Sequence, residues 1–222
     1  MRPKLKISPS KLEDYRVCSL GMYRKTLRDF VEGLDKPWEQ TEPQAKGEAY
    51  HSILEHGGAP FKEINAKGAI QYRVADKSGK FPDWIFTEAQ AEPAIFTHDN
   101  NPDKQHEVWG KLNLALDNCD VVMHLRMDAL DPRAIWDYKT TGRIPDEKTY
   151  LESLQWPIYM KAQPDKALFR YRIFRLHDDG CEQTDFLFEK NERREEYAIQ
   201  WLEHLVRFIG RENLHSKFQP NT

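Results

Sequence analysis

Asp137 and Lys139 stand two residues apart in the segment Ile135-Trp136-Asp137-Tyr138-Lys139-Thr140-Thr141. On an extended strand side chains alternate faces, so a carboxylate and an ammonium at this spacing project to the same side. Such a pair can hold a divalent cation and a water together. The cation lowers the water's pKa, and the lysine offsets charge that develops on phosphate oxygens. An exposed strand ion pair has the same spacing, so the pair alone does not decide. Asp128 adds to it, from within the apolar run Met127-Asp128-Ala129-Leu130. If Asp131-Pro132-Arg133 makes a tight turn, the two strands pair as an antiparallel hairpin and Asp128 comes near Asp137 across the ladder. Two converging carboxylates repel unless a cation lies between them, and hard cations such as magnesium suit oxygen ligands and phosphate chemistry. The alternative is that Asp128 merely begins the turn with Asp131.

The elements that must position these residues follow from periodicity. Ser8-Pro9-Ser10 ahead of Lys11-Leu12-Glu13-Asp14 reads as a Ser N-cap, with a helix running toward Phe30. A second helix is expected over Pro43 to His56, with Ala49, Tyr50, Ile53 and Leu54 facing inward. Residues 57–85 are rich in Gly and Pro and read as loops around a short strand at Ile70–Val74. From His106 to Leu116 the period changes to two: Val108, Gly110, Leu112, Leu114 and Leu116 share one face and Trp109 takes the other. Val121–Leu130 and Ala134–Lys139 are the next strands. A helix over Asp146 to Ala162 follows, which Pro157 should kink. Strands at Ala167–Leu176 and Asp185–Phe188 precede an amphipathic helix from Asn191 to Arg211. This order predicts an α/β fold with a mixed central sheet flanked by helices.

The chain has 222 residues, enough for one domain with a sizeable core. No apolar run reaches the roughly 20 residues of a membrane span, and the basic start has no apolar run behind it, so neither a membrane anchor nor a secretory signal is expected. Cys18, Cys119 and Cys181 are too scattered for a disulfide framework, and a reducing cytoplasm is the expected compartment. The net charge of −3 disfavours a general polyanion binder. Its distribution is uneven: basic residues gather in 1–28 and again at Lys161, Lys166, Arg170, Arg172 and Arg175. These are either a phosphate footprint beside an acidic site or solvated surface charge.

Five segments, in order, resemble the RecB-like and phage-exonuclease branch of the PD-(D/E)XK nucleases. They are Ser8-Pro9-Ser10-Lys11-Leu12 with Tyr15 and Cys18; Gly47 with His51, Leu54 and Glu55; Asp128; Asp137-Tyr138-Lys139-Thr140; and Gln155 with Tyr159. The resemblance implies a restriction-endonuclease-like core over about 43–190, preceded by a helical segment 1–42 and followed by a helix 191–215, all within a single nuclease domain 1–222. It implies that His51, Asp128 and Asp137 bind Mg2+ or Mn2+ with the Tyr138 carbonyl, and that Lys139 assists the attacking water. Gln155 and Tyr159, on one helix face, border the site, orienting Lys139 or touching the DNA backbone; ordinary packing is the plain alternative. Glu107 is a candidate secondary ligand. Ser10, Arg16 and Arg24 are candidate DNA contacts.

The implied activity is exonucleolytic hydrolysis of DNA by metal-activated water, in DNA recombination, repair or phage DNA processing. The partners implied are DNA ends, a recombination or single-strand-binding protein, and further copies of the chain as a homo-oligomer. Two features depart from the pattern. Cys18 lacks the later cysteine cluster that holds an iron–sulfur centre in some relatives, so no such cluster is expected. Arg126 stands where relatives commonly carry Gly. Three other readings compete: an endonuclease of the same family, a non-catalytic module that grips DNA ends or a protein, and a metal-dependent hydrolase of other phosphate esters.

Overall fold

The hairpin that carries the two carboxylates is built around Asp131. Its Oδ1 accepts the backbone N–H groups of Arg133 (2.7 Å) and Ala134 (2.6 Å), and its Oδ2 accepts the Trp136 indole N–H at 2.6 Å. These bonds close the turn between β6 (Asp120–Leu130) and β7 (Ala134–Thr141). A computed structural model shows the arrangement and describes residues 2–37, 39–100, 104–116 and 119–219.

β6 is the hub of a six-stranded mixed sheet. Along one side it pairs with β5 (Gln105–Ala115) in a long antiparallel ladder from Gln105↔Leu130 to Ala115↔Asp120. On its other side it pairs with β7 only at Ala129↔Trp136 and Leu130↔Ile135 before the two strands part. Further along β6, β1 (Lys4–Ile7) pairs in parallel, Lys4↔Asp120 to Ile7↔Met123. β8 (Leu168–Leu176) runs parallel to β7, and β9 (Cys181–Glu189) antiparallel to β8. The parallel β7–β8 pair requires a crossover, which α5 (Glu147–Glu152) and α6 (Gln155–Ala162) supply.

Strand alternation sends apolar side chains to both faces. Ile135, Phe169, Tyr171 and Ile173 join the larger core, which is closed by α1 (Pro9–Ser19), α2 (Leu27–Asp35), α6 and α7 (Glu192–Arg211). Trp136, Tyr138 and Phe174 join a smaller core under α3 (Glu42–His56) and α4 (Glu88–Asp99). Ala49, Tyr50, Ile53 and Leu54 are buried there, on the inward face expected of that helix. A separate antiparallel sheet of β2 (Lys62–Ile64), β3 (Ile70–Val74) and β4 (Trp84–Thr87) leads into α4.

Three expectations need correction. The helix toward Phe30 is two helices: Gly21 takes a left-handed φ of 66°, and a Thr26–Asp29 capping box starts α2. The helix from Asp146 to Ala162 is also broken, at Ser153, where the backbone turns extended. Pro157 therefore does not kink it: it sits in the first turn of α6, where its missing N–H would have had no helical partner. β1, α4 and the strands β2 and β4 went unforeseen, the last two starting within the stretch read as loops around Ile70–Val74, although Thr87-x-x-Gln90 is a capping-box spacing. Among the described residues, no helix is long and apolar enough to cross a membrane.

Folding holds Asp131 below its usual carboxylate range: burial pushes it up, but the Trp136, Arg133 and Ala134 donors outweigh that. Its contribution to stability is therefore full above about pH 4 and lost as the pH falls through the lowered value. Asp131→Ala is expected to cost about 2 kcal/mol in urea unfolding near neutral pH, since it strands donors that face a charged acceptor. An unchanged unfolding midpoint would show that the turn does not depend on this carboxylate.

Candidate active site

Where β6 and β7 part, a pocket of about 610 Å³ opens between α3 and α6. α3 can approach because Gly47 has no side chain: a Cβ there would lie 2.6 Å from Thr140 Oγ1 on β7. One turn further along, His51 stands edge-on to the Tyr138 ring, with centroids 6.2 Å apart. The pocket is lined by His51, Glu107, Asp128, Asp137, Tyr138, Lys139 and Gln155, so it gathers seven of the residues singled out in the sequence. Glu48, Ser52 and Glu55 line it too. With His51 they form an i, i+3, i+4, i+7 polar stripe on α3, a readable signal that the motif alone did not bring out. Arg126 is a further lining residue, one that sequence reasoning treated only as a departure.

Each acid is held by a different element. Asp128 Oδ2 accepts the Tyr138 backbone N–H at 2.7 Å, across the gap where the β6–β7 ladder has stopped. Asp137 Oδ1 accepts from Gln155 Nε2 at 2.7 Å, so Gln155 orients Asp137 rather than Lys139. Asp137 Oδ2 lies 2.5 Å from Lys139 Nζ. It is buried and receives no directional hydrogen bond among the described residues. Glu107 pairs with Arg126, and its backbone takes a left-handed φ of 49° inside β5. A non-glycine residue there is strained, and the flanking pairs His106↔Ala129 and Val108↔Met127 set it opposite Asp128.

The electrostatics follow from burial. Desolvation raises Asp137 to about 6, with Lys139 pulling it down and Asp128 pushing it up. Burial raises Asp128 as well, against Lys139 and the Tyr138 N–H. Burial alone would lower Lys139, but Asp137 and Asp128 hold it above its ordinary value. His51 is lowered to about 4 by burial and then by Lys139, so its imidazole is neutral near pH 7, the form that can ligate a metal. Two carboxylates therefore share one ammonium.

Other expected residues lie elsewhere. Tyr159 is buried in the larger core, its hydroxyl donating to the Arg126 carbonyl oxygen at 2.9 Å. It braces β6 from beneath and does not line the pocket. Arg16 is corrected as a DNA contact: it is 6% exposed and paired with Glu13, whose other carboxylate oxygen accepts the Leu154 N–H at 2.9 Å. Glu13 thereby ties α1 to the start of α6. Ser10 bonds Ser8, Arg24 is an exposed turn residue, and neither lines the pocket. Arg170 and Arg172 stack over Trp136 and pair with Asp185, while Arg175 pairs with Glu182. That basic cluster is largely neutralised within the protein.

The donor set fits a hard divalent cation in chemistry: two facing carboxylates, one with an oxygen free of directional hydrogen bonds, and a neutral imidazole. Among the described residues, however, no three His, Cys, Asp or Glu side chains are gathered into a ready metal cluster. In the pocket the Lys139 ammonium lies against Asp137 and the Tyr138 N–H occupies Asp128.

Residues 6–221 match the family model of the PD-(D/E)XK nuclease superfamily. The chain belongs to that superfamily. The mixed sheet flanked by helices is its restriction-endonuclease-like fold. PD-(D/E)XK proteins are nucleases acting on nucleic acid, and they use divalent metals, usually Mg2+ or Mn2+. No curated protein matches the chain. The crystal structure of SSO0001 is similar over 50% of this chain and 52% of its own, at 13% identity and a TM-score of 0.39. The chain thus spans about half the length of that structure.

Gln155→Ala frees Asp137 Oδ1 while leaving the charged groups in place. Nuclease turnover is expected to fall about 10- to 100-fold, the usual cost of losing a partner that orients a ligand, with an unchanged circular dichroism spectrum. Turnover equal to the wild type would make the bond to Asp137 incidental.

Proposed function

We propose that the chain is a metal-dependent DNA exonuclease of the RecB-like and phage-exonuclease branch, serving DNA recombination, repair or phage DNA processing. The observation that carries this reading is the convergence of Asp128, Asp137, Lys139, His51 and Gln155 on one pocket. The pocket volume of about 610 Å³ lies within the small-ligand range of roughly 300–1,000 Å³. The need for an end is supported by the walls of the site: the pocket lies between α3, which carries His51, and α6, which starts at Gln155, and two helices beside the metal site admit a frayed strand more readily than continuous duplex.

In this reading Asp128, Asp137, His51 and the Tyr138 carbonyl would hold Mg2+ or Mn2+, with Glu107 close by. When bound, the cation supplies Lewis acidity and a more acidic water. Lys139 stabilises charge developing on the phosphate and the attacking oxygen. Gln155 fixes the Asp137 carboxylate, and Tyr159 braces the backbone at Arg126.

Asp128→Asn and Asp137→Asn each keep the side-chain shape and remove one charge from the cation's shell. Both are expected to abolish cleavage and weaken Mn2+ binding measured by calorimetry; near-normal cleavage by either would remove that residue from the site. A plasmid compared in covalently closed and linearised forms, at one salt and Mn2+ concentration, tests the need for an end. The linear form should be degraded progressively, the closed circle should persist, and chelator should stop the reaction. Equal attack on the closed circle would make the protein an endonuclease.

A further inference from the structure

One sheet face beside the pocket carries side chains that catalysis does not use. The alternation that buries Leu5, Ile7, Met123 and Leu125 turns the intervening residues of β1, β5 and β6 the other way. Cross-strand pairs set Trp109 beside Arg126, Lys111 beside His124, and Lys6 beside Val122. Trp109 is 68% exposed, on a strand whose opposite face packs into the larger core. Its neighbour Arg126 lines the catalytic pocket, so the row starts at the site and runs away from it along β6.

Among the described residues this face has Asp128 at its pocket end, Glu107 paired with Arg126, and Asp120 opposite Lys4, which leaves Lys6 and Lys111 as its cations without a carboxylate partner. His124 is pushed below its ordinary value by burial and then by Lys6 and Lys111, which reach it from the two neighbouring strands. An exposed indole set among cations on a flat sheet is the composition of a surface for unpaired nucleic acid: bases stack on the ring and phosphates meet the cations. A protein-docking patch is instead depleted in lysine, whereas Lys4, Lys6 and Lys111 all lie here. From Asp128 to Val122 the strand runs about 20 Å, room for about six nucleotides at the 3.4 Å spacing of a stacked strand.

We propose that this face is the track along which the unpaired strand of the substrate runs to or from the catalytic pocket, with Trp109 stacking on a base and Lys6 and Lys111 meeting phosphates. The proposal rests on the nuclease reading of the pocket and adds the form of substrate it holds: a single strand gripped by its backbone and base faces, without sequence readout.

The test is fluorescence anisotropy in Ca2+, using labelled oligothymidylates either short enough to reach only the pocket or long enough to cover the face. The wild type is expected to bind the long strand more tightly than the short one. Trp109→Ala should weaken long-strand binding about 10-fold, and Trp109→Phe should retain most of it. Lys6→Gln and Lys111→Gln should each flatten the log–log salt dependence by about 0.7. Leu187→Ala, an exposed apolar residue on β9, serves as the control and should change nothing. Unaltered long-strand binding by Trp109→Ala overturns the track, and so does an equal loss on duplex of the same sequence. Cleavage separates the two readings. A wild type that cuts no nucleic acid yet grips the long strand through Trp109 sinks the nuclease assignment and leaves the track. A wild type that cuts linear DNA with no dependence of binding on Trp109 does the reverse.

Discussion

Asp128 and Asp137 converge on one pocket with Asp137 buried, and Lys139 is the cation that lets both remain there. Burial raises both acids, and the Asp128 charge raises Asp137 further. The ammonium is held charged by the same two acids that it stabilises. Such an arrangement survives only if its geometry is imposed from outside, because an uncompensated buried charge costs several kcal/mol by rough reckoning. The surroundings impose it. Gln155 holds one Asp137 oxygen from α6, the Tyr138 N–H holds one Asp128 oxygen from β7, and the Asp131 turn sets the spacing between the strands. Packing of α3 at Gly47 then closes the pocket from the other face of the sheet.

Much of this was legible in the sequence because strands announce themselves by period. Asp137 and Lys139 share a face by spacing, and the Asp131-Pro132-Arg133 turn predicted an antiparallel hairpin that brings Asp128 near Asp137; the ladder stops one pair short of them, and Asp128 reaches across to the Tyr138 N–H instead. The mixed sheet and its flanking helices followed from the order of elements. What was not legible depends on contacts between residues distant in sequence. Lys4-Leu5-Lys6-Ile7 alternates like a strand, yet its charges stood out and its apolar partners did not; pairing with β6 is what buries Leu5 and Ile7. α4 opens with a Thr87–Gln90 capping box, but Pro93 inside it spoils the helical pattern.

Side-chain roles were harder still, because a residue type does not reveal its partner. Arg16 carries the charge of a phosphate contact, and Glu13, three residues earlier on α1, claims it. Arg170 and Arg172 read as a basic footprint, but Trp136 and Asp185 engage them within the fold. Lys104 is buried over the same indole, 3.2 Å from its centroid, and desolvation brings it down to about 7. Counting charges along the chain therefore overstates how many cations meet solvent. Gln155 and Tyr159 share a helix face, but Gln155 bonds Asp137 in the pocket while the Tyr159 hydroxyl reaches the Arg126 carbonyl beneath it.

The bond from the Tyr138 N–H to Asp128 has an evolutionary side. β6 and β7 exchange main-chain hydrogen bonds over only two residue pairs, and just beyond them this carboxylate stands in for the next rung of the ladder. A buried main-chain donor left without an acceptor costs about 1–3 kcal/mol, so selection for folding acts on Asp128 independently of any selection for chemistry. Asp137 and Lys139 carry no such second duty to the backbone. A descendant released from catalysis would be free to drift first at those two positions while still being held to an acceptor at 128. The order of decay would be written by the sheet rather than by the reaction.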